Sequence, residues 1–306
     1  MVSDKPALSE ESVWSQRLDG SDHFSCNTEW GPGEVIKYFW QDIFGSAKAG
    51  SRVLEIGCGS GQVSFWGAEA ERGLKFVASD RIIAPGGSRF QHPDIRFMGE
   101  VAAEQLPFAK DSFELVVSNF AIEYASFDMA LSEAARVLAP GGTLILVLHS
   151  AYSGITQSSR VAKANHDALV RARVPEQVRE AVMLPPEDPL RHNLLQSVCA
   201  RRQEFSQDTE IFLGIEYFDF ALSLLGDEPP GLNDLDALDQ SVALRLDIAK
   251  EQSRVALDVD ALRQLEQQLQ QFGLAGFTSE MTCTYDEKHT EKVAWFGIFT
   301  KSSVGA

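Results

Sequence analysis

The stretch VLEIGCGSG, residues 53–61, decides how this chain is read. VLEI is an apolar run of the kind a strand buried on both faces takes, and it gives way at once to Gly57, Gly59 and Gly61. Glycine tolerates positive φ and carries no side chain that would keep a ligand from the backbone. A helix is expected to begin near Gln62, and the first N–H groups of a helix lack partners within it. A dinucleotide fingerprint would need GxGxxG, yet Gln62 stands where the third glycine belongs. The spacing is GxGxG, which disfavours a nucleotide-dependent oxidoreductase.

Working outward, short apolar runs alternate with amphipathic or polar segments, the pattern of a parallel sheet covered by helices. Strands are expected at RVLEI (52–56), KFVAS (75–79), IRFM (95–98), ELVVS (114–118) and TLILVLH (143–149). Residues 82–94 are broken by proline and glycine, so the helix after the second strand is expected to be short or absent. Upstream, a helix is expected around residues 34–44. Downstream of Ala151 the chain becomes helix-forming segments broken at Pro175, residues 185–189 and residues 229–231. Leu262, Leu265, Leu269 and Phe272 mark one helical stripe, with Gly273 placed as its C-terminal cap. FTSEMTCTY (277–285) and KVAWFGIFT (292–300) then read as an antiparallel hairpin.

Composition narrows the function. The 306 residues are 44% hydrophobic and 23% charged, enough to bury a sizeable core. No apolar run approaches the roughly 18 residues of a membrane span, and the N-terminus lacks an apolar signal region. A soluble, cytoplasmic protein is expected. The four cysteines are scattered without a CxxC pair, so neither a metal site nor a disulfide framework is expected. A net charge of −17 repels the phosphate backbone, which disfavours nucleic acid as partner. RVAKANHDALVRAR (160–173), the most basic stretch, reads as a solvated helix face.

The GxGxG turn, preceded by Glu55, resembles the first motif of class I S-adenosylmethionine-dependent methyltransferases. The resemblance continues in register. Asp80 stands at the end of the second strand, where the family carries a carboxylate for both ribose hydroxyls. AEQLPF (103–108) and DSFELVVSNF (111–120) resemble the adenine-side loop and fourth strand, and RVLAPGGTLILV (136–147) the helix, turn and fifth strand of the small-molecule branch typified by quinone-biosynthesis enzymes. It covers residues 50–150 and 258–302.

The resemblance implies a doubly wound α/β fold: a seven-stranded, mostly parallel sheet with an antiparallel last strand and a helical insertion between strands 5 and 6. It divides the chain into an N-terminal lid segment and helix (1–50), a Rossmann-like cofactor core (51–150), an insertion covering the substrate (151–257) and a last helix with closing hairpin (258–306). It also implies cofactor contacts from Glu55, Gly57, Cys58, Gly59, Gly61, Asp80, Arg81 and Asn119, with the adenine amino group falling to Glu100 or Glu104. The reaction implied is a metal-independent in-line transfer of a methyl group to a small organic acceptor. Rivals on a related fold are an aminopropyl transferase and a non-catalytic binding or scaffold protein.

Each candidate has a plainer reading beside the functional one. The glycines could form an ordinary tight turn and Asp80 a helix cap, though their company favours a ligand. Asn119 reads equally as a turn former. His149, Glu123 and Tyr124 fall near the ligand-binding edge of the sheet, where they could move a proton or orient an acceptor; packing explains them as well. The aromatic segment 211–225 reads first as a packed amphipathic helix, and second as a substrate wall or the interface of a homodimer. Trp14, His23, Phe24 and Trp30 read as the lid.

Overall fold

The computed structural model describes residues 32–82, 91–202, 213–226, 228–285 and 289–303. Trp14, His23, Phe24 and Trp30, and most of the broken stretch after the second strand, lie outside these residues. The chain divides into two compact units, one comprising Ile155–Arg254 and the other the residues on either side of it.

The first unit is built on strands β1 (Arg52–Ile56), β2 (Lys75–Ser79), β3 (Ile95–Met98), β4 (Phe113–Asn119), β5 (Leu138–Leu148), β6 (Leu274–Thr284) and β7 (Thr290–Lys301). They form one sheet in the order β3-β2-β1-β4-β5-β7-β6. The pairs from β3 to β5 are parallel, whereas β7 runs antiparallel to both of its neighbours. Both faces of the central strands are apolar, because alternate residues point to opposite sides. Leu54, Ile56, Val116, Leu144 and Leu146 pack on one side with helices α3 (Phe127–Val137) and α9 (Val259–Gln271). Val53, Val117, Ile145 and Val147 pack on the other with α1 (Pro32–Ser46) and α2 (Gln62–Ala68).

Sequence and structure differ most at β5. The expected strand began at Thr143, but the ladder starts at Leu138, which pairs with Phe113. The register then shifts before Leu115 pairs with Thr143, leaving Pro140–Gly142 as an irregularity within the strand. At the other end His149 falls one residue past β5.

The second unit has helices α4 (Gly154–Arg171), α5 (Val174–Met183), α6 (Pro189–Arg201), α7 (Glu216–Ser223) and α8 (Leu232–Val255), the first and last reaching its boundaries. Its prolines mark helix starts: Pro175 and Pro189 occupy first-turn positions, where a missing N–H costs nothing. Asp188 caps α6 by accepting from Leu190 N–H at 2.8 Å. Tyr217, Phe218 and Ala221 of the aromatic segment are buried in this unit's own core with Leu169, Val178 and Val198. Arg160, Lys163 and Arg171 are exposed along α4.

The chain leaves the first unit and returns to it at one place. Ala151 N–H donates to Leu257 O (2.9 Å) and Leu257 N–H to His149 O (2.8 Å), so the outgoing and incoming strands of this neck are hydrogen-bonded to each other.

Candidate functional site

The glycine turn leaves β1 at the carboxyl edge of the sheet, where open α/β sheets bind ligands. Gly57, Gly59 and Gly61 have φ of 70°, 49° and 81°, all left-handed. Packing gives two of them a second reason to be glycine. A Cβ on Gly57 would lie 2.3 Å from Ala121 Cβ, and one on Gly61 2.5 Å from the Phe97 ring. The loop is thus pressed against the segment after β4 and against β3. Gly57 and Cys58 both donate to Ser79 O, at 2.8 and 3.0 Å, which ties the loop to the end of β2.

Asp80 completes that tie. Its Oδ2 accepts from Gly59 N–H and its Oδ1 from Ile82 N–H, each at 2.9 Å. An ionised carboxylate offers about four lone-pair directions, so two acceptor sites remain for hydroxyl donors. The residues present therefore fit an adenosyl ligand: an acceptor-only group beside a turn whose backbone lacks side chains.

Glu55 is placed differently. It is buried and its Oε2 accepts from both the N–H (3.0 Å) and the hydroxyl of Ser64 in α2. It anchors the helix behind the turn. Burial pushes its carboxyl up to about 8, with Asp80 adding repulsion and the Ser64 hydrogen bonds opposing. Burial also raises the Cys58 thiol, which leaves it neutral within the turn.

Of the two adenine candidates, Glu104 is engaged: Oε2 meets Arg81 and Oε1 accepts from Ser126 N–H, both at 2.9 Å. Arg81 is thereby held as well. Glu100 is exposed, with a left-handed φ of 57°. Asn119 ends β4, and its Oδ1 accepts from Trp40 Nε1 at 2.9 Å.

Glu123 and His149 come together in the interior. Glu123 Oε1 accepts from His149 N–H (3.0 Å) and lies 2.8 Å from His149 Nδ1. Tyr124 Oη stands 3.5 Å from the other ring nitrogen, Nε2.

Two contributors were not foreseen. Trp40, fully buried in α1, fixes the Asn119 amide across the sheet edge. Arg136 of α3 shapes the loop before β4, donating to Leu106 O (3.0 Å), Phe108 O (2.8 Å) and Glu133. Glu133 in turn accepts from Leu106 N–H at 2.8 Å. The i, i+3 spacing of Glu133 and Arg136 on one helix face was the available signal. Among the described residues no group of three or more His, Cys, Asp or Glu could hold a metal ion, and no helix is long and apolar enough to cross a membrane.

A seven-stranded sheet in this order, with a glycine turn after β1 and a carboxylate after β2, defines a Rossmann-like fold, whose kind binds ligands at the carboxyl edge of the sheet. Residues 54–146 match the model of the methyltransferase domain family. Three curated relatives bear on this segment. A malonyl-[acyl-carrier protein] O-methyltransferase of Methylococcus capsulatus is 39% identical over 100 residues, 31% of this chain and 36% of that protein. A demethylmenaquinone methyltransferase of Thermus thermophilus is 32% identical over 106 residues, 33% and 48% of the two chains. A malonyl-[acyl-carrier protein] O-methyltransferase of Pectobacterium atrosepticum is 29% identical over 157 residues, 50% and 59% of the two. The chain thus spans between about a third and three fifths of the length of these three relatives.

Proposed function

We propose that the chain transfers the methyl group of S-adenosylmethionine to a small organic acceptor at the carboxyl edge of the sheet. The observation that carries this reading is the Gly59–Asp80 hydrogen bond, which makes one site of the ends of β1 and β2. Asp80 takes the ribose hydroxyls with its remaining lone pairs. The backbone of Gly57, Cys58, Gly59 and Gly61 lines the path of the cofactor. Glu100 takes the adenine amino group, because Glu104 and Arg81 are spent on each other. Asn119, its carbonyl oxygen held by Trp40, donates its amide N–H groups to the ligands in this reading. Bound S-adenosylmethionine supplies an already activated methyl group, so the protein's part is chiefly positioning, which is worth up to about 7–11 kcal/mol in favourable intramolecular cases. The relatives named for malonyl-[acyl-carrier protein] and demethylmenaquinone support an organic acceptor.

Titration calorimetry with S-adenosylhomocysteine tests the assignment. The unaltered chain is expected to bind on the order of micromolar. Gly59→Val is expected to abolish binding, since a β-branched residue is strained at a left-handed φ of 49°. Asp80→Ala removes charged hydrogen bonds worth about 1.5–3 kcal/mol, a loss of roughly ten- to a hundredfold. Unchanged affinity in the Gly59 variant would sink the assignment.

The same reading gives residues 1–50 the part of a lid and residues 151–257 that of a substrate cover. It places the enzyme in the cytoplasm, in keeping with three described cysteines, Cys58, Cys199 and Cys283, that are unpaired. A homodimer is the oligomer it allows, and sedimentation would decide it.

A further inference from the structure

We infer that Tyr124, His149 and Glu123 form a proton relay, with Tyr124 as the member that meets the acceptor, and that the acceptor is an uncharged hydroxyl. The inference rests on the methyl-transfer reading and deepens it. Glu123 sits in the short 3-10 turn Ile122–Tyr124, and the Ile122 N–H of that turn is accepted by Ser118 Oγ at 3.0 Å. Ala121, just ahead of it, is the residue pressed against Gly57. The turn that carries Glu123 and Tyr124 is therefore set in place by the cofactor loop itself.

The order of the relay follows from hydrogen bonding and exposure. The Glu123 and His149 side chains are each 2% exposed. Glu123 Oε1 faces His149 Nδ1 at 2.8 Å, and a carboxylate only accepts, so the neutral imidazole carries its proton on Nδ1. Nε2 is then a bare acceptor, and it faces Tyr124 Oη at 3.5 Å, the outer limit of a hydrogen bond. The two rings stand at 90° with centroids 5.5 Å apart, while Phe120 covers the imidazole at 4.6 Å. Tyr124 is half-buried whereas the Glu123 and His149 side chains are buried, so of the three the phenol is the member open to an acceptor. Glu123 Oε2 is buried and, among the described residues, has no hydrogen-bond partner. A carboxylate left half-paired in the interior is ready to stabilise a positive imidazole beside it. A histidine kept only for packing would not need that arrangement.

The relay also selects the acceptor. A carboxylate or thiolate arrives without a proton, so a base has nothing to remove, and its charge would be repelled by Glu123. An uncharged hydroxyl must give up its proton as it attacks. That proton goes to Tyr124 Oη as the proton of Tyr124 passes to His149 Nε2, leaving an imidazolium paired with Glu123. The acceptor oxygen forms the new bond to the methyl carbon, and the cofactor sulfur keeps the electron pair of the bond that breaks. The positive charge lost by the sulfonium reappears on the imidazole, so charge balances. His149 and Glu123 act through Tyr124 and are positioning residues.

Two measurements test this. Nitrogen NMR of the full chain labelled in histidine, with S-adenosylhomocysteine bound, is expected to show the His149 proton on Nδ1. Tyr124→Phe is expected to move the Nε2 resonance and Glu123→Gln the Nδ1 resonance. Tritium from labelled S-adenosylmethionine is expected in catechol, phenol and 2-naphthol, not in benzoate, succinate or thiophenol. Tyr124→Phe and His149→Gln should lower transfer to the phenols by about 10²–10⁴-fold, with calorimetric affinity for S-adenosylhomocysteine unchanged. A proton on Nε2, or an Nε2 resonance indifferent to Tyr124→Phe, overturns the relay. So does transfer within threefold of the unaltered chain in the Tyr124 variant. Label in the carboxylates or thiophenol, or in none of the phenols while S-adenosylhomocysteine binds, overturns the acceptor class. Failure of the unaltered chain to bind S-adenosylhomocysteine is instead a failure of the parent reading.

Discussion

Burial moves the Glu55 carboxyl from an ordinary 4.5 up to about 8, so near neutral pH it holds a proton in the folded chain and loses it on unfolding. A raised folded value means that its contribution to stability is complete below about 4.5 and is lost as pH climbs through about 8. Glu55→Gln keeps an oxygen for the Ser64 N–H and has no proton to lose. Unfolding free energies from denaturant titrations between about pH 5 and about pH 9 are therefore expected to fall more for the unaltered chain than for the variant, by on the order of a few kcal/mol. Parallel curves would refute a neutral Glu55. The glycines and Asp80 were legible as a unit, because spacing along a strand and turn is local information. Glu55 was read as a cofactor contact; its Ser64 partner lies nine residues on, and only the fold shows that helix α2 turns back over it. His149, Glu123 and Tyr124 were legible as neighbours, but which of them faces outward depends on burial that spacing does not encode.

The elements around the site are held by side chains that bond to backbone. Arg136 is the plainest case, since it grips two carbonyls of the loop before β4 from within α3. Arg136→Met leaves those carbonyls and Glu133 without their donor, an expected loss of roughly 1–3 kcal/mol. It should also weaken S-adenosylhomocysteine, because the loop follows Glu100. Asp258→Ala is the control: it removes the cap bond to Ala261 N–H and costs about 1 kcal/mol without touching the loop. Melting curves with calorimetry separate them, and equal affinity in both variants would deny Arg136 its part in the site. The first three strands were legible to the residue, and α9 with its cap nearly so. The start of β5 was not, since a proline–glycine–glycine run argues for a turn and only the pairing of Leu138 with Phe113 draws it into the ladder.

For the whole molecule, each unit is described by its own core, and the insertion's helices are stabilised within their own unit. Hydrogen exchange in residues 155–254 is expected to slow when S-adenosylhomocysteine and a phenolic acceptor bind together, as ordering of a cover requires. Protection that is the same with and without ligands would favour a purely structural role. The parallel-sheet class was legible from alternating apolar runs, and the helical character of the insertion from composition. The insertion's internal packing was not, because Tyr217 and Phe218 offer the same pattern whether they face a core, a ligand or a second chain.

The neck at His149, Ala151 and Leu257 has an evolutionary consequence. An excursion that starts and ends at two hydrogen-bonded strands can be lengthened, shortened or exchanged without moving the sheet, and doubling such a loop costs only about 0.6 kcal/mol in closure entropy. His149 stands at the root of the graft, on the side of the sheet that stays. The hundred residues of the second unit can thus be rewritten while the sheet and its glycine turn are inherited unchanged.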